Sequence, residues 1–444
     1  MNVERLLRTL LLSDYNTRVV VFGTVALGIA GGVIGVFLLL RRRALLADAV
    51  SHAALPGVAI AFLVLVALGQ SGRNLPVLMI GALVSGLIGM GCVIVVNRYT
   101  RLSEDAALGI VLSVFFGFGV ALLGIIQKMR GAAAAGLDSF IYGKTASMIR
   151  SDALLIGVVA VVVLIGTTLL FKELRLITFD PDFAAGDGWP VGTLDVTLMA
   201  LVVIVTVIGL QSVGIILVIA LLIIPPAAAR FWTESLRLMA VISGLIGALG
   251  GYLGTAISGM APRLPAGAVI VSVMGAAFTV SFLFGSERGL VRVLLDSLAL
   301  RRRVLNQNLL RALYECEETG CTDSADGQIH YLSTARGWSA PQLRRWIRRA
   351  TRQGLLTTGE NGCWDFTDHG RREATRVTRN HRLWEIYLLE HADVAAAHVD
   401  QGADLIEHVL GDALVAELED VLADRDALPA SPHSLLPANE ARTS

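Results

Sequence analysis

Hydrophobic and polar positions divide this chain into two parts. From residue 19 to residue 285, long apolar runs follow one another with short polar breaks between them. Runs of about 18 to 25 residues match the hydrocarbon core of a bilayer, so the pattern predicts about nine transmembrane helices. They lie near 19–40, 45–68, 75–96, 105–126, 152–171, 194–211, 213–229, 238–258 and 266–285, with a break between the sixth and seventh around Gln211 and Ser212.

Beyond residue 303 the pattern is that of a small soluble domain. Helices are predicted at 308–318, at 328–336, and from Ala340 to about residue 353, with Ser339 as the N-cap and Pro341 early in the helix. Strands at 355–358 and 363–367 flank the turn Asn361-Gly362, which is a strong hairpin signal. Three helices followed by a hairpin predict a winged helix-turn-helix.

Charge adds an orientation to this picture. The formal net charge is zero and says little about partners. The run Arg41-Arg42-Arg43 follows the first apolar segment and places the first loop in the cytoplasm by the positive-inside rule. Nine spans then place the second part of the chain in the cytoplasm as well, although the basic loop between the fourth and fifth spans runs against this orientation. We expect a multi-pass protein of the inner or plasma membrane with a cytoplasmic C-terminal domain.

Candidate chemistry within the membrane begins at Asp48 and His52. On a helix, Asp48, Ser51 and His52 share one face and could offer ligands to a divalent metal ion. A charged Asp in a membrane segment normally faces a cavity, a partner or an ion, because burying it in lipid is costly. Pro56 removes the amide donor for the carbonyl of His52 and leaves that oxygen free as well. The alternative is a helix-end Asp and a His that neighbouring helices satisfy.

Two further features of the membrane part are glycine strings and a proline pair. The strings around Gly28 and Gly247 predict close helix packing. Pro225 and Pro226 leave the carbonyls of two residues a turn earlier without a helical donor. Either a kink beside a transport pathway or a simple helix bend explains them.

The membrane part resembles the permease subunit of the zinc, manganese and iron family of ABC importers, across residues 18–285. The resemblance rests on four stretches in the family's order: 45–57 with Asp48 and His52, 104–109, 136–144, and 213–230 with its Ile-Pro-Pro centre. It implies that Asp48 and His52 line the metal path. It also implies that Phe179, Asp180 and Phe183, in the polar segment 178–186, contact the ATPase subunit.

An enzyme is not expected. The stretch 136–145 has six residues between its glycines where a phosphate-binding loop needs four. The resemblance implies a separate ABC ATP-binding subunit, an extracellular solute-binding protein, and a homodimer or a heterodimer with a second permease. A homodimer is favoured because both parts of the chain resemble two-fold symmetric proteins.

The C-terminal part carries a second set of candidate residues. His381 and Glu385 are four apart on one predicted helix, and Asp404, Glu407 and His408 share a face of the next. Mixed nitrogen and oxygen ligands suit Mn²⁺ or Fe²⁺, whereas surface charge pairs are the alternative. Residues 306–435 resemble the diphtheria toxin repressor family of metal-dependent regulators, through 308–318, 353–356, 381–385 and 403–410. The resemblance implies that these five residues are metal ligands.

Two positions depart from that resemblance. Asn308 stands where the family has a Met or Asp ligand, and Arg311 stands where manganese-responsive members have a ligand Glu. A cation at that point disfavours a binuclear site. A single site around His381 could survive, or the domain could keep its fold and dimer surface without responding to metal.

The third helix of the winged domain is strongly basic. Its four arginines could contact the phosphates of DNA, or they could form a solvated basic face. They are Arg344, Arg345, Arg348 and Arg349.

The sequence thus predicts an all-α polytopic membrane protein with a C-terminal cytosolic winged helix-turn-helix and a helical metal-binding or dimerisation domain. Its function would be import of a divalent metal ion into the cytoplasm as the permease subunit of an ABC importer. The fused metal-sensor-like domain could regulate that transport, with the metal ion as its regulator. Mn²⁺ leads over Zn²⁺ and Fe²⁺, because both parts resemble families that handle manganese and no His-rich loop points to zinc. The alternative is a membrane-tethered, metal-responsive transcriptional regulator. The expected boundaries are 1–290 for the permease, 291–303 for a basic linker, 304–375 for the winged domain, 376–435 for the metal-binding or dimerisation domain, and 436–444 for a tail.

Overall fold

A computed structural model describes residues 14–69, 74–128, 145–260, 264–320, 324–359 and 362–391. For residues 385–391 it describes the backbone only. The chain forms two compact units, Met1–Val293 and Leu294–Ser444.

The first unit is built from helices. In chain order they are α1 (Tyr15–Leu40), α2 (Leu46–Ala67), α3 (Leu75–Tyr99), α4 (Glu104–Gln127), α5 (Arg150–Leu169), α6 (Phe171–Phe179), α7 (Pro181–Gly186), α8 (Val191–Val213), α9 (Ile215–Ala229), α10 (Leu236–Met260) and α11 (Ala266–Phe284). A single 3₁₀ turn, Thr145–Ser147, precedes α5.

Eight of the nine predicted membrane helices are confirmed by their length and composition. In the described residues, eight helices are long and apolar enough to cross a membrane, and α9 is a shorter ninth apolar helix. Each agrees with one predicted segment within a few residues. The break between α8 and α9 falls at Gly214 rather than at Gln211, because Gly214 adopts a positive φ of 86° that interrupts the helix.

Glycines bring α1 and α10 into backbone contact. A Cβ added at Gly28 would lie 2.4 Å from the carbonyl oxygen of Gly247, so neither position has room for a larger residue. One turn further along, the hydroxyl of Ser243 donates to the carbonyl of Gly32 at 2.6 Å. The predicted packing role of the glycine strings is therefore confirmed for these helices.

The proline pair serves the packing of α9 against α1. Pro225 and Pro226 lie inside α9 and are buried. The carbonyls that lack a helical donor belong to Leu221 and Leu222, and both face glycines of α1. A Cβ at Gly35 would lie 2.2 Å from the oxygen of Leu222, and one at Gly31 would lie 3.4 Å from that of Leu221. This arrangement favours helix packing over an open pathway as the reason for the prolines.

The second unit contains a helical bundle and a hairpin. Its elements are α12 (Leu290–Glu318), α13 (Ala325–Arg336), α14 (Ala340–Arg352), β1 (Leu356–Thr358), β2 (Trp364–Phe366) and α15 (Asp368–His391). The two strands pair antiparallel, with Leu356 opposite Phe366. The predicted order of three helices and a hairpin is thus present.

The stretch 291–303, expected to be a basic linker, is helical and belongs to α12. The stretch from residue 290 to residue 318 contains neither Gly nor Pro, and it is rich in Leu and Arg, which are good helix formers. Its positive charge indicated a linker, but charge alone does not interrupt a helix. Residues such as Leu294 and Leu298 on this helix are exposed.

A small core joins the elements of the second unit. Leu309 and Leu313 of α12, Leu343 and Ile347 of α14, and Leu356 of β1 are all buried in it. Gln328 of α13 fastens the hairpin to the helices, because its side chain accepts from the amide of Trp364 at 2.9 Å and donates to the carbonyl of that residue at 3.2 Å.

Candidate functional site

The candidate site in the membrane unit lies in the first turns of α2. The Nε2 atom of His52 is 3.3 Å from Oδ1 of Asp48, one helical turn earlier. Both side chains are largely buried, at 31% exposure for Asp48 and 20% for His52. Ser51 does not belong to this pair: it is fully buried, and its hydroxyl donates to the carbonyl of Ala47 at 2.7 Å. The structure therefore brings together two of the three predicted groups.

The second ring nitrogen of His52 has a different environment. Nδ1 is buried and has no hydrogen-bond partner among the described residues. The ring of Phe116 on α4 stands edge-on to the imidazole, with ring centroids 4.7 Å apart. A buried polar nitrogen without a partner is costly in a protein interior, so it marks a place where a ligand or water can bind.

Neighbouring helices fix the position of α2 around this pair. A Cβ added at Gly57 of α2 would lie 2.0 Å from the carbonyl oxygen of Gly81 on α3. The hydroxyl of Ser85 on α3 donates to the carbonyl of Ala53 at 2.6 Å. Gly119 of α4 lies against Pro56 in the same way. These contacts leave little freedom for the turn that carries His52.

A cluster of four charged residues joins the ends of three helices in the membrane unit. Arg41 contacts Asp195 of α8, and Arg43 lies 2.5 Å from both Asp195 and Glu104 of α4. Arg42 adopts a positive φ of 60° at the end of α1, which turns the chain so that the amide of Arg43 donates back to the carbonyl of Leu38 at 2.8 Å. Both neighbouring arginines thereby reach one carboxylate.

Burial and charge act in opposite directions on this cluster. Burial lowers the pKa of the Arg41 guanidinium below its ordinary value, and the carboxylate of Asp195 opposes that shift. Sequence reasoning used Arg41 and Arg43 only as markers of topology and missed Asp195. A carboxylate inside an apolar run, close to a basic triplet, is the signal that could have found it.

The segment expected to contact an ATPase presents two aromatic side chains to solvent. Phe179 ends α6 and is 63% exposed, and Phe183 in α7 is 61% exposed. Asp180 lies between the helices and caps α7, because its Oδ1 accepts from the amide of Phe183 at 2.9 Å. The buried side chains of Leu174 and Ala184 anchor the two short helices.

In the second unit, His381 and Arg311 face each other. Both residues are buried, at 2% and 1% exposure, and the Nη1 atom of Arg311 contacts Nδ1 of His381. Nε of Arg311 also lies 3.5 Å from Oε1 of Glu315. The amide oxygen of Asn308 is buried without a hydrogen-bond partner in the described parts of the chain.

Four further residues were expected as metal ligands in this unit. The side chain of Glu385 and all of Asp404, Glu407 and His408 lie outside the described residues. Within the residues that are described in either unit, no group of three or more His, Cys, Asp or Glu side chains is arranged to hold a metal ion.

The four arginines of α14 line an open cleft of about 840 Å³. Arg302, Arg352, Pro341 and Trp346 complete its wall. Arg344 is also 3.5 Å from Asp326, but both side chains are largely exposed, so this ion pair contributes little. The cleft therefore concentrates positive charge around an indole ring.

Comparison with known proteins decides the family of the membrane unit. Residues 13–285 match the model of the ABC 3 transport family. The chain belongs to the ABC 3 transport family. The resemblance that the sequence predicted is thereby confirmed, and the fold is that of a multi-pass membrane protein.

Relatives within the family agree with this assignment. The manganese transport system membrane protein MntC of Bacillus subtilis is 37% identical over 386 residues, which are 87% of this chain and 87% of that protein. The zinc transport system membrane protein TroC of Treponema pallidum is 44% identical over 294 residues, which are 66% of this chain and 96% of that protein. The solved structure of PsaBC from Streptococcus pneumoniae in complex with Fab matches 66% of this chain and 99% of its own, with 29% identity and a TM-score of 0.56.

The C-terminal unit has a match of its own. Residues 367–433 fit the model described as the iron dependent repressor, metal binding and dimerisation domain. The second predicted resemblance is therefore confirmed. The alignment with the Bacillus protein covers more of this chain than the membrane unit can supply, so that relative extends into the C-terminal unit as well.

Proposed function

We propose that this chain is the permease subunit of an ABC importer that carries a divalent metal ion into the cytoplasm, with Mn²⁺ as the leading substrate. The observation that carries the proposal is the pair formed by Asp48 and His52, with the Nδ1 atom of His52 buried and without a partner among the described residues. A carboxylate beside an imidazole suits Mn²⁺, Fe²⁺ and Zn²⁺. The names of the relatives support metal as the cargo and include both manganese and zinc.

A pair of ligands is too few to enclose an ion. Divalent metals in proteins take four or more ligands, and one copy of this site supplies one oxygen-bearing and one nitrogen-bearing side chain. A homodimer with this pair near its two-fold axis would supply four, with water completing the shell. The need for at least four ligands supports a dimer of the permease. A site completed by water would hold the ion only briefly, as transport requires.

The same proposal assigns partners. The exposed Phe179 and Phe183, held on two short anchored helices, form a compact apolar feature of the kind that docks into a groove of another protein. We assign it to a separate ATP-binding subunit on the cytoplasmic side. An extracellular solute-binding protein would deliver the ion, and the C-terminal unit would lie in the cytoplasm.

Metal uptake by cells that depend on this chain tests the proposal. Asp48→Asn keeps the size of the side chain and removes its charge, and we expect uptake of Mn²⁺ to fall by at least about tenfold because a metal ligand is lost. Asp152→Asn is the matched control, since among the described residues Asp152 accepts one long bond, from the amide of Ile149 at 3.5 Å, at the start of α5. Normal uptake by Asp48→Asn at wild-type expression would exclude this site.

A second candidate function follows from the arginine cleft. A basic groove beside a half-buried indole suits phosphate groups, so the chain could act as a membrane-tethered regulator that contacts DNA through Arg344, Arg345, Arg348 and Arg349. Replacing Arg345 and Arg348 with Gln separates the two functions. Loss of DNA retention by the purified chain, with unchanged metal uptake, would support the regulator. The importer predicts normal uptake and no DNA retention even before the substitution.

A further inference from the structure

The contact between Arg311 and His381 determines how the imidazole can be used. A guanidinium group has only N–H donors and no acceptor. The Nδ1 atom of His381 must therefore accept the hydrogen bond from Arg311, and the neutral imidazole then carries its proton on Nε2. In that tautomer neither ring nitrogen has a lone pair left for a metal ion.

Charge around the contact excludes a metal for a second reason. Arg311 is buried at 1% exposure, so its positive charge is poorly screened by solvent. The carboxylate of Glu315 is already shared between Arg311, at 3.5 Å, and Arg336, at 2.9 Å. The amide oxygen of Asn308 is neutral and cannot offset a second cation. The donor set described here does not fit a divalent ion at His381.

The guanidinium also makes the connection that a shared metal ion would make between helices. Arg311 lies on α12 and His381 on α15, 70 residues apart in sequence. Two more arginines join the same helices: Arg371 donates to Glu317 at 2.7 Å, and Arg382 donates to Glu318. The hydrogen bond with Glu317 raises the pKa of Arg371 above its ordinary value, as expected of a group held by a carboxylate.

We propose that Arg311 takes the place of a regulatory cation at His381, so that α12 and α15 of the C-terminal unit are held together without metal. The unit would then keep the fold of a metal-dependent regulator and a fixed arrangement of these helices at all metal concentrations. The proposal does not depend on the transport function, because it concerns no residue of the membrane unit.

Hydrogen exchange in the purified full-length chain, read by mass spectrometry, tests this proposal with Mn²⁺ as the probe. Two peptides report on the contact, one covering 309–316 and one covering 374–384. In the wild-type chain we expect their exchange to be unchanged by millimolar Mn²⁺. Protection of both peptides by Mn²⁺ that disappears in His381→Gln would overturn the proposal.

Replacing Arg311 should create a metal-binding site that the wild-type chain lacks. Arg311→Glu supplies a carboxylate and frees both nitrogens of His381, so Mn²⁺ at ten times its dissociation constant should slow exchange in the two peptides about tenfold. Arg345→Glu makes the same charge change on an exposed face of the same unit and should gain nothing.

A second variant guards against misfolding. Arg311→Met fills the buried space with an apolar chain and also frees His381, and exchange in α14 shows whether either variant is folded. If both variants are folded and neither gains protection with Mn²⁺, the guanidinium is not what excludes metal and the proposal is wrong. If neither folds, the wild-type measurement decides alone.

Discussion

His52 and His381 are both four residues from a carboxylate in the sequence, yet the two units surround them differently. In the membrane unit, His52 has a carboxylate at one nitrogen and no described partner at the other. In the C-terminal unit, His381 accepts from a buried guanidinium. The imidazole of His52 remains able to bind a cation, whereas that of His381 is already bonded to a cationic group, the guanidinium of Arg311. Spacing on a single helix is therefore insufficient to define a metal site, because the deciding group comes from another helix.

The largest expected effect separates the two histidines in one assay. We expect His52→Gln to lower metal uptake by at least about tenfold, because an amide is a poorer ligand than an imidazole. His381→Gln should leave uptake within about twofold of wild type, since the contact it breaks holds two helices together and binds no cargo. Uptake of radioactive Mn²⁺ into cells, at matched levels of membrane-inserted protein, measures both.

Equal loss of uptake in the two variants would contradict the difference proposed between His52 and His381. It would mean that the C-terminal unit is required for transport, either as a metal site or as a structural part of the importer. Equal retention would instead remove His52 from the transport path.

Buried positive charge is not a property of the C-terminal unit alone. The membrane unit holds Arg41 and Arg43 against Asp195, with side chains 11%, 12% and 18% exposed. In this cluster, as at His381, arginines find their partners on distant helices. The difference between the two histidines therefore reflects which partner is present rather than whether the unit lies in a membrane.

Asp195→Asn tests that view through stability. The substitution leaves Arg41 without its carboxylate, whereas Arg43 keeps Glu104. Breaking a buried ion pair costs about 3 kcal/mol or more, because the remaining charge stays buried. We expect the thermal unfolding temperature of the purified chain in detergent to fall by several degrees. Asp152→Asn should not change it, and an unchanged unfolding temperature in Asp195→Asn would show that the cluster is unimportant for stability.

Much of the fold could be predicted from the sequence. The apolar runs gave the membrane helices because a bilayer demands length and apolarity, both of which are local properties. The pairing of β1 with β2 and the start of α14 after Ser339, with Pro341 in its first turn, are likewise specified by a few neighbouring residues. The stretch 291–303, expected to be a basic linker, is helical, because it lacks helix breakers and its charge alone does not interrupt a helix.

The candidate sites could be predicted only in part. Asp48 and His52 are one turn apart, so the helix alone brings them together. The contact of Arg311 with His381 spans 70 residues, and that of Arg41 with Asp195 spans 154. Such pairs depend on how helices pack, which spacing along one helix does not reveal. The role of Phe116 beside His52 has the same origin.

The smallest expected effect sharpens the description of His52 itself. The ring of Phe116 stands edge-on to the imidazole at 4.7 Å between centroids and limits the directions it can face. Aromatic pairs of this kind contribute about 0.5–1.5 kcal/mol. Phe116→Leu should therefore raise the metal concentration needed for half-maximal uptake by about two- to tenfold. Phe118→Leu is the matched control on the same helix, because Phe118 is 53% exposed. A weaker half-saturation with unchanged maximal uptake, in Phe116→Leu alone, would show that the ring orients His52 for the ion. No difference between the two variants would show that Asp48 and the packing of α2 suffice to hold the imidazole in place.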